Sequence, residues 1–247
     1  MCTLAVCLKT RPEFPLIVAA NRDEALSRPA RPPLLWTPDD APPFVAGRDE
    51  RGGGSWMGIN AAGVFVGLTN LWWTDFTRPR PRSRGQLVVD LLAAKDLDDA
   101  QQLLASQPVE EMGPFNVVCA TTTGEGFVAA SADDLKITRL PPGVHVISNV
   151  LPMQPWAKTA RVAKALQAAI EAPQGRLPNA LACTLTPHTA GGSPSESVCV
   201  HTDRDYGTVS SAILLSPMEP RAGVLRYADR APCLAPYVDC SALLSQL

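Results

Sequence analysis

The sequence has no apolar run of the roughly 18 residues needed to cross a bilayer, and Lys9, Arg11 and Glu13 interrupt the one N-terminal stretch a secretory leader would use. Glu13 also argues against an acid-poor transit peptide. There is no basic excess: 22 Lys and Arg against 24 Asp and Glu leave a net charge of -2. With no field to draw the chain to nucleic acid, neither nucleic acid nor a transmembrane segment is expected. A C-x-x-C pair is missing too. The seven cysteines, at 2, 7, 119, 183, 199, 233 and 240, are odd in number and scattered, which reads as reduced thiols in a cytoplasmic protein. No metal site is expected: His145, His188 and His201 are the only histidines, and although Cys199 and His201 would share a strand face, two ligands do not make a site. Internal repeats and low-complexity tracts are absent.

What is present is a chain of 247 residues, long enough for one domain over 1–247 with a substantial core. Short apolar, β-branched runs at 3–8, 16–20, 55–59 and 64–69, with 60–63 as a hairpin turn, predict antiparallel strands. Residues 28–44 carry six prolines, which cannot donate ladder hydrogen bonds, so an extended surface loop is expected there. Helices are expected over 86–94, over 97–106 behind Asp96 as N-cap, over 155–172 and over 179–185. Further strands fall at 115–120, 126–130, 144–147, 208–215 and 223–227. Strands and helices in blocks, without regular β-α-β alternation, predict an α+β fold of mostly antiparallel sheets with helices packed outside.

Residue 2 is a cysteine. Loss of Met1, which a small following side chain permits, would leave an α-amine of pKa about 8 within one residue's reach of a thiol of pKa about 8.5. One residue would then supply both nucleophile and base. The alternative is that Cys2 simply opens a buried strand, as free cysteines commonly do. A second concentration of polar groups, Asn21-Arg22-Asp23-Glu24, follows the run at 16–20. A period of two turns Asn21 and Asp23 to one strand face and Arg22 and Glu24 to the other.

Asn21-Arg22-Asp23-Glu24 behind Met1-Cys2-Thr3 is joined by Arg28-Pro29, Gly53-Gly54-Ser55-Trp56-Met57-Gly58-Ile59, Leu68-Thr69-Asn70, Ser83-Arg84-Gly85, Phe115-Asn116, Ile147-Ser148-Asn149, Pro155-Trp156 with Lys158, and Tyr206-Gly207-Thr208. This ordered set resembles the NRDE family, that of transport and Golgi organization protein 2. The family is similar in turn to N-terminal nucleophile hydrolases of the cholylglycine hydrolase and penicillin acylase group. The resemblance implies a four-layer αββα sandwich, with Cys2 as nucleophile, Asp23 beside the α-amine, and Asn70 and Asn149 as oxyanion-hole amides. Such donors are worth about 2.7–4 kcal/mol each. Two departures stand out: the hydrolases' arginine directly before the Asn of this motif is Ala20 here, with Arg22 on the face opposite Asp23, and Val209 follows Tyr-Gly-Thr where the family often has Arg.

Functionally the resemblance implies a carrier or chaperone for a small hydrophobic ligand, in haem trafficking or in lipid and acyl-coenzyme A homeostasis. No cofactor is required, and haem enters only as a transported ligand. Trp72, Trp73 and Phe76 would line the pocket mouth, and Arg78, Arg80, Arg82 and Arg84, sharing one side of an extended segment, would meet propionates or phosphates. The plainer reading of the same stretch is a core aromatic cluster followed by a solvated Pro-Arg loop. The alternative function is a Cys2-dependent amidase or thioesterase acting through an acyl-enzyme.

Overall fold

The computed structural model describes residues 2–71, 80–132, 134–152, 154–189 and 193–247. Strands β1 (Thr3–Arg11) and β2 (Phe14–Glu24) form an N-terminal hairpin, and β3 (Ala30–Trp36), β4 (Phe44–Asp49), β5 (Met57–Asn60) and β6 (Val64–Asn70) continue as a meander. Helices α1 (Arg84–Leu91) and α2 (Leu97–Ala105) precede β7 (Phe115–Thr121), β8 (Gly126–Ser131), β9 (Leu135–Leu140) and β10 (Gly143–Ile147). After α3 (Ala157–Ala169) and α4 (Leu177–Leu185) come β11 (Gly207–Ser216), β12 (Val224–Ala228), β13 (Val238–Asp239) and α5 (Ser241–Leu244). Two antiparallel sheets result, ordered β10-β1-β2-β11-β12-β13 and β3-β4-β5-β6-β7-β8-β9.

The side-chain period of two sorts the apolar residues into three cores. Leu4, Val6, Leu16, Val18 and Ala20 face Phe65, Val118 and Val128 between the sheets. Ala5, Cys7, Ile17 and Ala19 face the other way, onto Val162 and Leu166 of α3 and Leu181 and Leu185 of α4. On the far side, Val66, Phe115 and Phe127 pack against Leu87, Leu91 and Leu104 of α1 and α2. The layers are therefore helix, sheet, sheet, helix: the αββα sandwich. Each fully buried Leu or Phe contributes roughly 1.5–3 kcal/mol. Among the described residues, no helix is long and apolar enough to cross a membrane.

The proline-rich stretch departs from expectation. Residues 30–36 are not a loop but β3, the edge strand of the larger sheet, with a register shift between Arg31 and Leu34. Pro32 and Pro33 lie in that irregularity, where a missing N–H costs no ladder bond. The strand at 16–20 also runs on through Glu24, so the four polar residues Asn21 to Glu24 lie within β2. There they pair with β11, Asn21 opposite Ser211 and Asp23 opposite Thr208.

A cationic cavity over Cys2

Cys2 stands at the head of β1, directly before Thr3, which pairs with Asn21 of β2. Its Sγ lies 3.7 Å from the Asp23 carbonyl, and burial pushes the thiol pKa up. The carbonyl of Cys2 accepts the Ser148 hydroxyl at 2.6 Å, tying the head of β1 to the segment after β10. Cys2, Asp23 and Asn70 line one cavity of about 230 Å3.

The alternation expected in β2 is seen, and it separates four roles. Asn21 points to the helical layer, where its amide donates to the carbonyls of Leu185 (2.8 Å) and Val198 (3.0 Å); it clamps α4 to the sheet. Asp23 shares that face. Its Oδ1 accepts the Thr208 hydroxyl at 2.6 Å, and its main-chain oxygen accepts the Tyr206 hydroxyl at 3.1 Å. Burial raises the Asp23 pKa to about 6, opposed by the chain's amino terminus, Lys158 and the Thr208 bond.

Arg22 and Glu24 leave the opposite face and enter the cavity wall. Arg22 lies on the same face as Ala20, two residues further along, so a guanidinium still reaches the site from this strand. It pairs with Asp49 of β4 at 2.7 Å and lies 4.2 Å over the Trp56 ring. Asp49 also accepts Arg28 Nε at 2.7 Å and the Gly52 N–H at 2.7 Å. Burial would raise the Asp49 pKa, but Arg28, Gly52 and Arg22 together hold it below the usual carboxylate range. Glu24 accepts the Ala25 N–H at 2.9 Å and stands 3.9 Å from Arg28 Nε.

The two asparagines assigned to the oxyanion hole are adjacent but not equivalent. Asn70, the last residue of β6, lines the cavity. Asn149 is buried behind it and donates its amide to the Asn70 carbonyl at 2.6 Å. The turn holding Asn149 is fixed by Asn116 of β7, whose amide donates to the carbonyls of Ser148 (2.8 Å) and Val150 (2.9 Å), and by the Thr69 hydroxyl on the Ser148 carbonyl at 2.7 Å.

Arg84 opens α1 behind Ser83, whose hydroxyl accepts the Gly85 N–H. Arg80, Arg82 and Arg84 all reach the cavity. Burial pushes the Arg84 pKa down, while Glu24 and Cys2 favour its charge. Trp72, Trp73, Phe76 and Arg78 lie outside the described residues. Sequence reading assigned no role to Lys158, although it sits in a family segment. Lys158 is fully buried in α3, 5.5 Å over the Trp156 ring. Burial pushes its pKa down against the pull of Asp23 and Cys2, so an amine lies buried behind the cavity wall, on the side of the helical layer. Asp49 carried no sequence signal, since it reaches Arg22 from the other sheet.

The chain and its fold have counterparts among known proteins. Residues 1–225 match the sequence model of the family Transport and Golgi organisation 2. The transport and Golgi organization protein 2 homolog of Bos taurus is 33% identical over 170 residues, 64% of this chain and 60% of that protein. The human homolog is 32% identical over 177 residues; the match spans 60% of the length of these curated relatives. Among solved structures, a mutant of the conjugated bile acid hydrolase from Clostridium perfringens superposes with a TM-score of 0.65 at 10% identity, covering 97% of this chain and 92% of that one. The Caenorhabditis elegans ortholog of N-acylethanolamine-hydrolyzing acid amidase gives 0.60 at 12% identity, covering 87% and 92%. Penicillin V acylase from Agrobacterium tumefaciens gives 0.60 at 11% identity, covering 100% and 89%. These likenesses establish the N-terminal nucleophile hydrolase fold.

Proposed function

The chain belongs to the Transport and Golgi organisation 2 family, and on that premise we propose that it is a carrier of a small amphiphilic ligand, an acyl compound or haem, held over Cys2 by its anionic groups. The observation that carries this reading is the charge on the cavity wall. Arg22, Arg28, Arg80, Arg82 and Arg84 face Asp23, Glu24 and Asp49 there; Asp49 is already matched by two of the arginines, and Arg82 pairs with Asp90 of α1 at 2.9 Å. Carboxylates and phosphates are what such guanidinium forks accept. Trp56 and Leu68 add apolar wall. Behind Trp56 the space between the sheets narrows to a gap of about 20 Å3, bounded by Val45, Phe65, Leu214 and Tyr227, room for about one water. A cytoplasmic setting is part of the same proposal, supported by seven free thiols.

A second reading, a Cys2-dependent amidase or thioesterase, is favoured by one specific arrangement: Sγ of Cys2 beside Asp23, with Asn70 on the same cavity. It requires loss of Met1, so that the freed amine takes the thiol proton and later returns it to the leaving group. The deciding experiment titrates haem and a long-chain acyl-coenzyme A into wild type, Cys2→Ala and Arg84→Met, and follows acyl release in parallel. A carrier binds equally well without the thiol and loses about tenfold or more in affinity without the guanidinium. Turnover by wild type that vanishes in Cys2→Ala would establish the hydrolase reading instead.

A further inference from the structure

We propose a second site, a tetrahedral zinc(II) centre formed by His188, Cys199, His201 and Cys233, whose ligand atoms all lie within 4.8 Å of one another. Three parts of the fold deliver them. Cys199 and His201 alternate along a short extended segment held against β11 by the Thr208 N–H on the Val200 carbonyl and the Val200 N–H on the Thr208 hydroxyl, both 2.8 Å. Both side chains therefore leave one face. His188 follows α4, and the carbonyl of its neighbour Pro187 accepts the N–H groups of Val198 and Cys199, both at 3.1 Å. Cys233 arrives from the turn after β12, where Leu234 and Ala235 donate to the Ala231 carbonyl.

The two distances at Cys199 Sγ are those of a coordination sphere, and the Cys233–His201 edge is shorter and would open on binding. Zn–S bonds of about 2.3 Å and Zn–N bonds of about 2.0–2.1 Å set tetrahedral edges of about 3.8 Å between two sulfurs and about 3.6 Å between sulfur and nitrogen. Here the two Sγ atoms are 3.6 Å apart, Cys199 Sγ is 3.7 Å from His201 Nε2, and Cys233 Sγ is 3.1 Å from that nitrogen. The sulfurs are not bonded to each other. His188 carries the outer contact that metal-bound imidazoles keep: its Nδ1 is 2.9 Å from the Cys199 carbonyl. A carbonyl only accepts, so Nδ1 holds the proton and the Nε2 lone pair is left for the metal. Binding converts two thiols to thiolates and releases two protons, with no change of oxidation state, and two thiolates on Zn2+ make a neutral centre.

The expectation of no metal site rested on the missing C-x-x-C pair and on Cys199 and His201 being two ligands only, whereas His188 and Cys233 come from positions that only folding brings to them. Cys233 lies beyond residues 1–225 matched by the family model. The centre is structural. It clasps the end of α4, the segment 198–201 and the C-terminal region, and it reaches the first site by one chain of bonds: the Val200 N–H to the Thr208 hydroxyl, and that hydroxyl to Asp23 at 2.6 Å.

The test uses the reduced, full-length chain, stripped of metal and titrated with cobalt(II) alone. One cobalt per chain is expected, with the absorption of a tetrahedral site and a thiolate-to-cobalt charge-transfer band, displaced by zinc. Cys233→Ser and His188→Gln alter exposed residues and should keep the far-ultraviolet circular dichroism of wild type. They should weaken cobalt binding by about a hundred-fold or more, beyond what loss of an outer partner costs. A wild-type protein without the charge-transfer band, or a Cys233→Ser variant that binds as tightly as wild type, would overturn the proposal.

Discussion

At the scale of single residues the site is a set of buried charges whose partners decide what each can do. Asp23 has a folded pKa of about 6 against an ordinary 3.8. Between those values the folded state binds more protons than the unfolded chain, so its contribution to stability is largest in acid and is lost as pH rises from about 4 to about 6. Denaturant unfolding of wild type and Asp23→Asn across that window should show wild type losing ground to the variant; parallel curves would refute the shift. Asp49 is the shared partner of Arg22 and Arg28. Its replacement by Ala strands Arg22 in the interior and should cost about 3–5 kcal/mol. Arg22→Ala leaves Asp49 still paired with Arg28 and should cost less, an order that chemical denaturation of the two variants checks. Lys158 is an amine held in the core, its pKa depressed by burial. Lys158→Met should therefore raise the melting temperature, which thermal unfolding of the two proteins checks.

At the scale of elements, two family segments meet backbone to backbone. A Cβ on Gly54 would overlap the main chain of Gly85, and the Ser55 N–H donates to the Gly85 carbonyl at 3.0 Å. The strand-side segment 53–58 and the start of α1 thus fix each other and place Arg84. Gly54→Ala should cost about 1–3 kcal/mol in urea unfolding, with Gly175→Ala, where a Cβ meets nothing, as the neutral control. Elements with a strong period were legible in the sequence: β1, β2, β5 to β8, β10 to β12, and α1 to α4 within a few residues. The elements that were not are edges or have weak patterns. β3 hides behind prolines, β9 carries Lys136 and Arg139 on a half-exposed edge, and β4 includes Gly47, against which the Trp56 ring lies. The site divides in the same way. Cys2, Asp23, Asn70 and Arg84 were legible because one motif set names them. Asp49 and the packing of Arg22 on Trp56 were not, because they are contacts between sheets that no local pattern encodes.

At the scale of the whole molecule, a chain of net charge -2 concentrates five arginines around one cavity. The local field opposes the global one, so affinity for an anionic ligand should fall as ionic strength rises past the point where the screening length, about 10 Å at 0.1 M, becomes shorter than the cavity. A binding isotherm that ignores salt would argue against a charge-held ligand. The strand order also carries a statement about time. β1 and β2 pair with each other at once, but their outer neighbours are β10, which begins at Gly143, and β11, which begins at Gly207. At a ribosomal pace of about 5–20 residues per second, the head of β1 waits roughly 10 to 40 s for the partners that enclose it. Until then Ser148 cannot grip the Cys2 carbonyl. Cys2 is thus enclosed late, by segments of chain made long after it.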